Sequence, residues 1–225
     1  MRKQLLGVFV FGLLLVGMSL KVYAWDDHDF QIWNTNVEEY KVNKTSKIAL
    51  EEEFRWADNA SKFTYQHYDV GFFHDFNKYF NSGLGFREVY ERTNRPFKTE
   101  NEPYLTATFS YAPVGFNLDT RSRLEYRNFN FTATDYFRYR NKFTAKLPWQ
   151  LTKFKIRPFF ADEIFIRFLG SGSTLSGNRF SVGLGATITK NFSGEIYYMI
   201  DSVKSTNTCI WSDANVLGTK FKLSF

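Results

Sequence analysis

The stretch Asn117–Leu147 constrains the fold more than any other part of the chain. It reads NLDTRSRLEYRNFNFTATDYFRYRNKFTAKL, two alternating segments joined by a polar and aromatic loop. In the first segment Leu118, Leu124 and Tyr126 share a parity with Thr120 and Ser122, while Asp119, Arg121, Arg123, Glu125 and Arg127 hold the other. In the second, Phe137, Tyr139, Phe143, Ala145 and Leu147 alternate with Arg138, Arg140, Lys142, Thr144 and Lys146. A period of two sends successive side chains to opposite faces of a strand, so each strand has one greasy or neutral face and one charged face. A soluble antiparallel sandwich alternates as well. Strand length and an aromatic content of 20%, with 26 Phe and 13 Tyr, favour a membrane instead. Strands of about ten residues or more suit a tilted bilayer crossing, with lipid on the apolar face and a polar lumen on the charged one.

The start of the chain fits export. Met1, Arg2 and Lys3 are followed by an apolar run from Leu5 to Leu20 and by Val22-Tyr23-Ala24, a pattern that predicts a signal peptide over residues 1–24 and a mature chain starting at Trp25. An uncleaved anchor is the alternative, because the run is nearly long enough to span. Beyond it there is no run of the roughly 20 apolar residues that a spanning helix requires. At the other end, VLGTKFKLSF alternates and stops on Phe225. It resembles the last strand of bacterial outer-membrane barrels, whose terminal aromatic residue belongs to the signal read by the barrel-insertion machinery.

Charge adds an exclusion. The chain carries 29 Lys and Arg against 23 Asp and Glu, but Arg2, Lys3 and Lys21 lie in the leader, and taking those 3 from 29 leaves 26 bases against 23 acids. A mature surplus of 3 gives no concentrated positive footprint, so nucleic acid is not an expected partner. Cys209 stands alone, which excludes an intrachain disulfide, and there is no Cys/His cluster for zinc.

Ten strands can be read from Ser46 onward, joined alternately by longer and shorter connections. Residues 93–103, TNRPFKTENEP, read as a polar loop with two prolines, and Leu169–Asn178, LGSGSTLSGN, as a flexible loop. Glu52, Glu88 and Asp162 count outward, against the rule that charge avoids lipid. Trp56, Tyr65, Tyr104, Tyr111, Phe137 and Trp149 fall near strand ends, where aromatic rings suit the bilayer interface. Gln31–Val42 looks extended but does not fit an even-numbered barrel with both termini on one side. The expected fold is therefore all-β, an antiparallel transmembrane barrel of ten strands plus an accessory N-terminal segment, with twelve strands as the alternative. The corresponding division is a signal peptide over 1–24, an extended segment or partial strand over 25–45, and the barrel over 46–225.

ALEEEFRW, GLGFREVYER, RSRLEYR, FRYRNKF and the aromatic end together resemble DUF2490, a family of uncharacterised bacterial proteins regarded as outer-membrane barrels. The resemblance spans nearly the whole mature chain. It implies the fold and carries no catalytic residues onto these positions.

Function has to be read from the lumen face. Arg121, Arg123, Arg127, Arg138, Arg140 and Lys142 form a candidate basic wall, and Glu51, Glu53, Glu163, Glu195 and Asp201 are candidate lumen acids. Such a wall would attract anions, which points to a narrow channel for small anionic solutes in the outer membrane. Ion pairing between the two sets would instead make the interior a structural brace, with function left to the loops. A lipid-modifying enzyme is the third possibility, although His28, His67 and His74 fall in no nucleophile motif. No catalytic, metal or cofactor residues are expected. The expected partners are outer-membrane lipids, the insertion machinery and a small anionic solute.

Overall fold

The computed structural model describes residues 27–225 apart from 93–95, 132–133, 151, 153–154, 171 and 206–208. The leader expected over 1–24 lies outside the described residues. Eleven strands run in chain order: β1 (Asp29–Lys41), β2 (Ser46–Ala57), β3 (Lys62–Asp75), β4 (Phe80–Glu91), β5 (Lys98–Tyr111), β6 (Asn117–Phe129), β7 (Tyr136–Lys146), β8 (Arg157–Leu169), β9 (Gly172–Thr187), β10 (Phe192–Lys204) and β11 (Trp211–Ser224). Consecutive strands pair antiparallel, and β1 pairs with β11 in parallel, so the sheet closes into a barrel.

This corrects the expected architecture of ten strands plus an accessory segment, and its twelve-strand alternative. All of the expected segment Gln31–Val42 except Val42, which enters the turn to β2, lies in a full wall strand. An odd strand count becomes admissible once the closing pair is parallel, because the first and last strands then point the same way. Asp29 pairs with Ala214 and Glu39 with Ser224, a continuous register along the seam. Side chains reinforce it: Asn34 Nδ2 donates to Thr219 Oγ1 at 3.0 Å. Phe225 finishes the seam, since its N–H donates to Glu39 O at 2.8 Å and its ring stacks on Tyr40 with centroids 5.0 Å apart. Asp29 and Phe225 therefore lie at opposite rims.

Two expected loops are shorter than the sequence suggests. β5 begins at Lys98 and runs through Pro103, which pairs with Phe86 on the β4 side. Toward β6 the register passes from Asn101–Asn128 to Tyr104–Glu125, so the missing proline N–H falls where the ladder is interrupted. Likewise β9 begins at Gly172 and includes most of the Gly/Ser stretch. The register against β8 shifts between Phe165 and Ile166, and Ser176 Oγ donates to Phe165 O at 3.2 Å. Small residues let the extra one be absorbed as a bulge within the wall.

The greasy surface is outside. Leu84, Leu105, Phe109, Phe160, Phe180, Ile196 and Leu217 all point away from the lumen and are exposed. Inside, the hydrophobic cluster of fully buried residues is small, made of Trp33, Met199 and Val216 with Tyr197 packed against it. A soluble barrel would reverse this distribution.

The seam sets a testable condition. Deleting Asp29–Lys41 should leave β2 and β11 with unpaired edges, and the chain should lose the folded, heat-modifiable band on semi-native electrophoresis. A truncated chain that kept this band would show that ten strands close without β1.

Candidate functional site

The same alternation that greases the wall fills the barrel interior with charge. β6 and β7 pair Arg123 with Arg140 and Glu125 with Arg138, which brings four long inward side chains together. Glu125 is fully buried and is the hub: Arg138 Nε lies 2.6 Å from its Oε2, Arg140 Nη1 lies 2.9 Å from its Oε1, and Arg123 Nη1 lies at 3.8 Å. Arg138 also donates to Glu102 at 2.9 Å, and Arg127 holds Glu100 through two nitrogens and Glu102 through one. Arg140 continues to Glu163 at 3.0 Å, which Arg121 also reaches at 3.2 Å. On the other side Arg87 bridges Asp69 at 3.0 Å and Glu51 at 3.2 Å. Buried charges of this density are tolerable because most find two or more partners of opposite sign.

Glycines make room for a ring within this network. Tyr104 on β5 crosses Gly85 on β4 and Gly71 on β3, where an added Cβ would lie 2.8 Å from its hydroxyl at Gly71. The hydroxyl then donates to Asp69 Oδ1 at 2.6 Å, and the Arg123 guanidinium stacks 3.9 Å above the ring. Tyr104 is thus an interior residue, as is Tyr65, whose hydroxyl lies 3.0 Å from His67 Nδ1. Both depart from the interfacial positions expected from their places near strand ends. Phe137 and Trp149 do lie exposed on the outside.

A second set of stacks lines the upper half of the lumen. Arg55 lies 3.6 Å from the Trp33 ring and 3.8 Å from that of Tyr65, while its charge is met by Glu53 at 2.8 Å. Arg179 lies 4.9 Å from Trp33 and 4.8 Å from Phe165, and bonds Asp201 at 2.9 Å. Arginine suits such positions because its flat, weakly hydrated cation tolerates an aromatic face.

Of the six basic residues singled out in sequence, Arg121, Arg123, Arg127, Arg138 and Arg140 all make ion pairs. Lys142 faces Glu163, Glu195, Arg121 and Lys220 without a direct pair among the described residues. The five acids also face inward, but they are spread: Glu163 joins the arginine network, Glu51 takes Arg87 and Lys220, Glu195 takes Lys146, and Glu53 and Asp201 serve Arg55 and Arg179. Sequence reasoning passed over Glu100 and Glu102 because the prolines around them suggested a loop. Glu125 was legible on the charged face of its strand, but its central position was not.

One cavity of about 560 Å³ occupies this interior. It runs from Asp29, Ser212 and Asp213, at the rim where β1 and β11 begin, to Glu51, Lys142, Glu195 and Lys220. Its lining stops short of Glu39, Lys47 and Lys222 near the Phe225 rim, where both lysines bond Glu39 at 2.8 Å. The arrangement is a cup with a charged floor.

Other chemistry is incomplete. Asp27, His28 and Asp213 gather at the open rim, their ligand atoms within 4.8 Å of one another, but His28 pairs with Asp27 at 3.4 Å and the Asp213 N–H donates to Asp27 Oδ1 at 2.8 Å. Ser46 Oγ lies 2.9 Å from His74 Nδ1, and the imidazole meets the Phe76 ring edge-on with centroids 4.8 Å apart. No acid orients it among the described residues, so the pair lacks the third member of a nucleophilic triad.

The network makes a stability prediction. Glu125→Gln leaves Arg138 and Arg140 each short of a charge partner and should lower barrel stability by about 3–5 kcal/mol, as breaking buried pairs does. Urea unfolding in detergent micelles checks this, and an unchanged midpoint would contradict the role of Glu125 as hub.

Residues 30–212 match the model of a family described as a protein of unknown function, DUF2490. No curated protein and no solved structure matches the chain. The match covers most of the barrel wall, from the start of β1 to the start of β11, and the chain belongs to the DUF2490 family.

Proposed function

We propose that the chain is an outer-membrane protein, exported with loss of residues 1–24, folded into lipid by the barrel-insertion machinery, and serving as a receptacle for small anionic solutes. The greasy exterior and polar interior support the membrane location. The observation that carries the solute is the cup floor. There Arg121, Lys142, Lys146 and Lys220 share Glu51, Glu163 and Glu195, two of which also bond Arg87 and Arg140. Bases outnumber acids at this level, and Lys142 lines the cavity without a direct ion pair among the described residues. An anion of phosphate or small carboxylate size entering from the rim where β1 begins would supply the missing negative charge.

A freely conducting pore is a weaker reading. Most of the basic wall is committed to acids on neighbouring strands, so it offers a passing anion little unspent charge. The lysine–glutamate group at the Phe225 rim places further paired charge beneath the floor. The barrel should bind without passing much current.

Planar-bilayer recording combined with calorimetry distinguishes these behaviours. The wild-type protein should give little steady conductance while binding inorganic phosphate, and Lys142→Met should weaken that binding by about tenfold, or ~1.4 kcal/mol. Large anion-biased currents abolished by joint neutralisation of Arg121, Arg123, Arg138 and Arg140 would establish a channel instead. A silent barrel that binds no phosphate or small carboxylate would leave the interior a structural brace.

A further inference from the structure

The outer wall contains a polar track where lipid chains should lie. Thr219 on β11 pairs with Asn34 on β1, Asn36 on β1 with Glu52 on β2, Glu52 with Tyr68 on β3, and Tyr68 with Glu88 on β4. These positions share the outward parity, and all but Glu88, which lies three residues from the end of β4, sit five or more residues from either end of their strands. Part of the track forms an external groove of about 480 Å³ between Asn36, Glu52, Tyr68 and Glu88, with Leu50, Val70 and Phe86 as its greasy flank. In a barrel set in lipid, carboxylates and amides at this depth are destabilising unless something polar covers them.

The track satisfies itself only in part. Asn36 Nδ2 donates to Asn34 Oδ1 at 3.0 Å and to Glu52 Oε1 at 3.1 Å, which spends both its protons. Asn34 Nδ2 donates one proton to Thr219. Glu88 accepts from the Tyr90 hydroxyl. What remains is one N–H of Asn34 and the hydroxyls of Tyr68 and Thr219 as donors, with Oε2 of Glu52, the second oxygen of Glu88 and Oε1 of Glu38, whose other oxygen accepts from Tyr40 at 2.8 Å, as acceptors. Tyr68 is 46% exposed, so its hydroxyl is within reach of a neighbour. The outward polar group on the far wall is different: Ser122 bonds Tyr139 at 2.9 Å, and Asn141 bonds Ser122 at 3.1 Å and Thr120 at 3.3 Å, leaving a set closed on itself.

We infer that the β1–β4 face is a lateral interface between two copies of this chain in the membrane. Spare donors and spare acceptors on one patch make it self-complementary, which is the requirement for a two-fold contact in which each surface meets its own copy. Tyr68 and Asn34 of one copy then face the free oxygens of Glu52 and Glu88 of the other, and Leu50, Val70 and Phe86 pack around them. Lipid tails offer neither donors nor acceptors, so the polar contacts drive the association while apolar flanks gain nothing over lipid.

The inference rests on the membrane location proposed above, and the experiment separates the two. In a Cys209→Ser background, single cysteines are placed in the groove (Val70→Cys) and on the far wall (Leu124→Cys), and oxidative cross-linking is run on intact membranes. We expect a band at twice the monomer mass for Val70→Cys, about tenfold stronger than for Leu124→Cys. Joint replacement of Glu52 and Glu88 by Leu should then raise the dimer dissociation constant in detergent by about tenfold, or ~1.4 kcal/mol, with the heat-modifiable band retained. Protein in the membrane fraction with equal cross-linking at both sites, or a Val70 product of any other mass, overturns the interface. Absence from the membrane fraction overturns the location itself.

Discussion

Backbone hydrogen bonds around a closed ring are the constraint on which the rest of this molecule depends. In the membrane location proposed above, a sheet has no water to satisfy an edge, so every strand must find two neighbours. Here the last requirement is met by an unusual partner choice, the parallel pairing of β1 with β11. Parallel closure admits an odd strand count and fixes the face that each side chain presents. It also places Glu39 next to both Lys47 and Lys222 at one rim, while Asp29, at the other, accepts the N–H groups of Asp58 and Asn59.

Given closure, the interior becomes an electrostatic problem. Around Glu125, Glu102 and Arg123 the side chains fill the barrel and bury their charges away from water. Glu125, Glu102 and Asp69 are held by several arginines each, and the arginines span strands, so the network ties the wall together across its hydrogen-bond ladder. The aromatic rings serve the same end. Tyr104, Trp33, Tyr65 and Phe165 cover guanidinium faces that carboxylates cannot reach, and the glycines at 71 and 85 let the largest of these crossings fit. Toward the cup floor charge persists, but lysines join the arginines and pairing becomes incomplete.

Much of the wall was legible in sequence because alternation is a local signal. The hairpin of β6 and β7, the strand ending at Phe225 and the inward parity of the arginine ladder all follow from period two alone. β1 was harder. Its outer face carries Asn34, Asn36 and Glu38 where a lipid-facing strand should show apolar residues, so the usual contrast between faces is missing. β5 was obscured by Pro103, whose place at a break in the ladder depends on its neighbours. Pairings such as Arg87 with Glu51, or Tyr104 with Asp69, join residues on different strands and depend on register and tilt, which local pattern does not report. Glu52, Glu88 and Asp162 stood out as violations in sequence, and the fold turns the first two into parts of one polar track while giving Asp162 a partner in Asn178 at 2.8 Å.

The parallel seam also bears on the order of folding. Asn34 and Thr219 are 185 residues apart, whereas the other wall contacts are between consecutive hairpin partners that can form as soon as both strands exist. Closing the longest loop carries the largest entropic penalty, so the seam should be the last element to zip. Until it does, β1 and β11 are open edges, and an assembling chain has to be kept from pairing with another through either of them. The terminal ring stacked on Tyr40 then acts as a latch on a ring already complete elsewhere, and barrel formation should wait on one late, long-range encounter.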